Sequence, residues 1–114
     1  MSKDLENHVK QIVESIENGL DSIEREDEGQ LPMDGLEYLN DALDIEFTVR
    51  QPSGNPKNCQ LLGARVLVAF GGPNIWINTR TQEVEGYWWQ DKCVMRYTRD
   101  EIGLDEAIQT LFWN

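Results

Sequence analysis

The sequence predicts an α+β domain with an N-terminal helix, a short second helix, a four- to five-stranded antiparallel β-meander and a C-terminal helix. Three observations carry that prediction. Apolar residues first recur every three or four positions, the period drops to two after residue 44, and turn-forming clusters then separate short apolar runs until helical spacing returns past Thr98. With 114 residues, 39% hydrophobic and 27% charged content and four tryptophans, the chain reads as one folded domain, 1–114. Its parts are an acidic helical region, 1–44, a sheet, 45–97, and a C-terminal helix, 98–114.

The first helix is read from Ser2 to Arg25, because Leu5, Val9, Ile12, Val13, Ile16, Leu20 and Ile23 form one stripe at helical spacing. Asn18-Gly19 offers an earlier stop, since glycine readily takes the left-handed C-cap conformation, but Leu20 and Ile23 continue the stripe. Residues Glu26 to Gly35 are rich in acids and turn formers and read as a loop. Leu36 to Leu43 fits a short helix with Asp34 as its N-cap.

Ile45, Phe47 and Val49 alternate with Glu46, Thr48 and Arg50, the signature of a half-buried strand. Leu61 to Phe70 is the most apolar run and is expected as a strand in the middle of the sheet. Gly71-Gly72-Pro73-Asn74 is not followed by a helix, so it reads as a hairpin turn and not as a phosphate-gripping loop. Strands Ile75 to Arg80, Glu83 to Gln90 and Cys93 to Tyr97 follow, with turns at Thr81-Gln82 and Asp91-Lys92. Thr98-Arg99-Asp100-Glu101 has the form of a capping box, with the regular helix beginning near Asp105 because Gly103 weakens the first turn.

Charge is unevenly placed. Residues 1–47 hold 14 of the 21 acidic side chains and only Lys3, Lys10 and Arg25, so the whole formal charge of −11 lies there. Such a surface repels nucleic acid and anionic membrane and favours basic protein partners. Arg50, Lys57, Arg65, Arg80, Lys92, Arg96 and Arg99 are scattered, and direct nucleic-acid binding is not expected.

Catalytic signatures are thin. The single histidine, His8, lies on the first helix with no nucleophile at a triad spacing, and Cys59 and Cys93 read as buried or reduced thiols. Asp41/Asp44/Glu46 and Glu83/Glu85 lack the converging oxygens of a hard-cation site, so neither metal nor cofactor is expected. Without a basic, apolar leader or a run of about 18 apolar residues, a cytoplasmic protein with no membrane association is expected.

The aromatics offer a second surface. Strand alternation puts Trp76 and Asn78 on one face and Ile75, Ile77 and Thr79 on the other, and sets Tyr87 and Trp89 opposite Gly86 and Trp88. One set is expected under the helices and the other on the open face of the sheet, where aromatics serve well as interface anchors.

In length, in acidity and in the segments LEYLNDALDIEFTV (36–49) and VAFGGPNIWINTRTQEVEGYWW (68–89), the chain resembles small acidic single-domain proteins of phages and conjugative elements. That group includes anti-restriction and anti-CRISPR inhibitors. The resemblance implies a DNA-mimic inhibitor and assigns no residue a role.

The function expected is therefore non-enzymatic: an acidic inhibitor that binds a basic, nucleic-acid-handling enzyme such as a nuclease. Candidate partner-binding residues are Glu14, Glu17, Asp21, Glu24, Glu26, Asp27 and Glu28 on the acidic side, and Trp76, Tyr87 and Trp89 on the sheet. The alternative is a small regulatory or structural module that dimerises, or docks a partner, through the helix stripe or the aromatic sheet face.

Overall fold

Leu5, Val9, Val13 and Ile16 recur at helical spacing and are buried along one side of α1 (Lys3–Asn18). The structure is a computed structural model that describes residues 3–19, 35–52, 57 and 59–113. Gly19 follows α1 at φ 76°, the left-handed conformation that ends a helix, so the glycine stop prevails over the continuing stripe. Leu20 to Arg25, which the sequence reading placed in this helix, lie outside the described residues, as does Asp34, the expected cap of the second helix.

After α2 (Gly35–Asn40) come five strands: β1 (Asp44–Arg50), β2 (Gln60–Ala69), β3 (Asn74–Asn78), β4 (Glu83–Trp88) and β5 (Asp91–Arg96). They form one antiparallel meander in the order β1-β2-β3-β4-β5, closed by α3 (Leu104–Trp113). The expected α+β architecture is present. The apolar strand β2 is interior but second from the edge, and β3 holds the middle.

Cross-strand register sorts the two faces. One row runs Ile45, Val66, Ile77, Val84, Met95 and a neighbouring one Ile75, Gly86, Cys93. These rows and the buried residues of all three helices make a single core. α1 lies across β4 and β5, while α3 packs on β2 and on α2. At Gly86 the sheet comes so close to α1 that an added Cβ would sit 2.6 Å from Val9 Cγ2 and 2.8 Å from Leu5 Cδ1. From Leu5 to Ile16 the stripe is buried against the chain's own sheet, while Leu20 and Ile23, its continuation in the sequence, lie outside the described residues.

Two local expectations are corrected. The last hairpin turns at Trp89-Gln90, with Trp88 paired to Asp91, and not at Asp91-Lys92. α3 is capped by Asp100, whose carboxylate accepts the N–H groups of Leu104 (2.7 Å) and Asp105 (3.0 Å). The expected capping-box hydroxyl, that of Thr98, is used elsewhere: Glu17 at the end of α1 accepts both the Thr98 N–H and its hydroxyl. Glu101 N–H and Arg99 reach α1 as well, at Ile16 O and Asn18 Oδ1. Among the described residues no helix is long and apolar enough to cross a membrane.

Candidate protein-binding surface

The helix-free face of the sheet is where exposed aromatics were expected, and it holds a closed polar network instead. Trp76, Glu85 and Val94 lie in one cross-strand row, with Arg65, Asn78 and Glu83 in the next. The Arg65 guanidinium lies 4.2 Å over the Trp76 ring and donates to Glu85 Oε1 at 3.1 Å. Tyr87 Oη donates to the same oxygen at 2.8 Å, and Asn78 Nδ2 to the other at 3.3 Å. Burial alone would raise the Glu85 pKa, but three donors and the Arg65 charge outweigh it and hold the carboxyl below its ordinary range. The Tyr87 phenol is pushed up, first by burial and then by its bond to Glu85. Trp76 and Tyr87 are thus half-buried and engaged with their own neighbours.

Of the acidic candidates, Glu14 is exposed on α1. Glu17 is tied to Thr98, whose backbone and side-chain donors lower its pKa, so it serves the fold. Asp21, Glu24, Glu26, Asp27 and Glu28 lie outside the described residues. The described part of α1 mixes Asp4, Glu6, Glu14 and Glu17 with Lys3 and Lys10, far short of a continuous carboxylate face.

The third candidate surface is one end of the sheet. An antiparallel meander returns alternate turns to the same end, so the β2–β3 turn, the β4–β5 turn and the start of β1 gather there. That end carries Leu43, Phe70 (71% exposed) and Trp89 (93% exposed). Trp89 is the first residue of a two-residue turn and has φ 59°, a conformation that suits glycine or asparagine and costs a bulky side chain. Gln82, in the preceding hairpin, shares this conformation, but at Trp89 it is a large apolar side chain that is left in water.

Beside these tips α1 overhangs the turns. Asp4, Asn7, His8 and Gln11 on its flank, with Pro73 from the β2–β3 turn and Trp88 from the end of β4, line an open groove of about 400 Å³. The sequence reading assigned Trp89 to a sheet face and did not single out Phe70 or this groove. The signal for the tips was present in the Trp88-Trp89 pair, since two successive tryptophans cannot both face one side of a strand.

On β1 and α3, Phe47, Phe112 and Trp113 form another aromatic patch. Their rings pack on one another at 5.2 and 4.8 Å, and Trp113 Nε1 donates to Gln109.

Burial, with the Glu6 charge behind it, raises the Cys93 thiol. Among the described residues no group of three metal-ligating side chains occurs. Compared with protein-family models, curated proteins and solved structures, the chain matches none.

Proposed function

We propose that the chain is a non-enzymatic protein-binding inhibitor of a basic, nucleic-acid-handling enzyme, and that it docks through the hairpin end of its sheet. The observation that supports this most is Trp89, 93% exposed at a positive φ beside the exposed Phe70. Large aromatics with few rotatable bonds make effective anchors at the centre of an interface. The formal charge of −11 supplies the complementary part: it draws a basic partner in, while the aromatics hold it. Nucleic acid itself is repelled by the same charge.

A pure DNA mimic, binding by carboxylates alone, is the narrower version. It draws on Glu14 and on acids outside the described residues, because Glu17 is committed to Thr98. The regulatory or structural module remains the rival class, with the open sheet face as its docking route.

Affinity capture from the cells that produce the protein separates these readings. The proposal expects one basic protein to be retained by the wild type, released by added salt, and lost with Trp89→Gly and Phe70→Ser. Reversing Glu14 to Lys should weaken capture only modestly. Capture that survives both tip substitutions but fails on charge reversal would favour the mimic, and retrieval of the chain's own second copy would favour the structural module.

A further inference from the structure

We infer that the groove between α1 and the two turns is a slot for an arginine side chain supplied by the partner. The inference rests on the reading that a basic partner docks at this end. A guanidinium needs a flat apolar surface to lie on, a carboxylate for its fork, and further acceptors for the remaining N–H groups. The residues that line the groove are of the kinds required: Trp88 and Pro73 for the ledge, Asp4 for the carboxylate, and Asn7 and Gln11 for further acceptors, with His8 between them on the helix. Positions 4, 7, 8 and 11 fall on one flank of α1, held rigid over the turns because Leu5 and Val9 beside them are fully buried in the core.

The molecule contains a worked example of the same recognition. On the open sheet face Arg65 lies over Trp76, is bound by Glu85, and has the Asn78 amide on that carboxylate. Tryptophan, carboxylate and amide recur in the groove, whose lining contains no lysine or arginine.

Other occupants fit less well. A phosphate would meet Asp4 and a net charge of −11. An apolar chain would bury Asp4 without a counter-charge. A hard cation would find one carboxylate where it needs several oxygens. A lysine could pair with Asp4 but would leave the planar ledge and the additional acceptors largely unused. Trp89 adjoins the groove in sequence and is exposed, so the partner segment that fits carries an arginine next to an apolar residue.

The test is a titration of the ¹⁵N-labelled full chain with N-acetyl-arginine amide, with the lysine and norleucine amides run in parallel. The expected result is saturable shifts confined to Asp4, Asn7, His8, Gln11 and the Trp88 indole N–H, tightest for arginine. Asp4→Asn, with its amide spectrum otherwise unchanged, should weaken arginine binding by about tenfold, the loss of one charge-assisted pair. Three results would overturn the slot: norleucine amide binding as well as arginine, non-saturating shifts spread over Glu14 and Glu46, or an unchanged affinity in Asp4→Asn. Failure here would leave Trp89-dependent capture standing. Loss of that capture with a saturable groove would instead remove the docking reading and leave an arginine site without this role.

Discussion

Glu17 and Thr98, 81 positions apart, are joined by two hydrogen bonds to one carboxylate oxygen, at 2.8 Å from the backbone N–H and 2.9 Å from the hydroxyl. This clamp fastens the end of α1 to the segment that leads into α3. Glu17, one of the acidic residues expected on a binding face, thus has a structural task within the chain. Because the clamp holds the Glu17 pKa below its ordinary 4.5, its stabilisation is fully present above that value and is lost as pH falls through the lower folded value. Glu17→Gln should therefore melt below the wild type at pH 7, and the gap should close in acid. Thermal melts across pH 2.5 to 7 check this, and a gap that widens in acid would exclude the assignment.

Glu85 is the acceptor for Arg65, Asn78 and Tyr87 together. Glu85→Ala strands three donors on a partly buried face and is expected to cost about 1–3 kcal/mol. Urea denaturation measures the loss, and the Trp76 fluorescence should change as Arg65 leaves its ring.

Close approach of α1 to the sheet depends on Gly86. Gly86→Ala is expected to destabilise by about 1–3 kcal/mol through overpacking against Leu5 and Val9. Combined with Val9→Ala it should lose less than the sum of the two single changes, since the second removes the side chain that the first collides with. Additive losses in a double-mutant cycle would place the strain elsewhere.

Trp89 runs the other way. Glycine takes φ 59° freely, so Trp89→Gly should leave the fold intact and raise stability by up to about 1 kcal/mol, net of the entropy that glycine adds to the unfolded chain. A clear loss of stability would mean that the indole packs on the domain and is no free anchor.

Much of the fold was legible because it is written in period. The Leu5 to Ile16 stripe and the alternation of Ile45, Phe47 and Val49 each report a side that must be buried, and short turns between later strands require an antiparallel meander. The misreadings share a cause. Trp89 and Gln90 occupy a turn although tryptophan favours strands and Asp91 favours turns, so local preference pointed two residues downstream. Thr98 and Glu101 match a capping box, yet Glu17, distant in sequence, claims the threonine and Asp100 caps the helix. The groove escaped notice for the same reason, since residues 4, 7, 8 and 11 meet 73 and 88 only in three dimensions. Net charge was visible at once, whereas which aromatics face water depends on register and on a turn.

On the proposed function, a partner meets the hairpin end rather than the α1 flank or the open sheet face. Site-specific photo-cross-linking tests it directly, with a photoreactive phenylalanine placed in separate copies of the full chain at positions 14, 70, 89 and 94 and activated in the producing cells. The account predicts an adduct with a basic protein from positions 70 and 89, and little or none from 14 and 94. An adduct from position 14 or 94, with 70 and 89 silent, would contradict it.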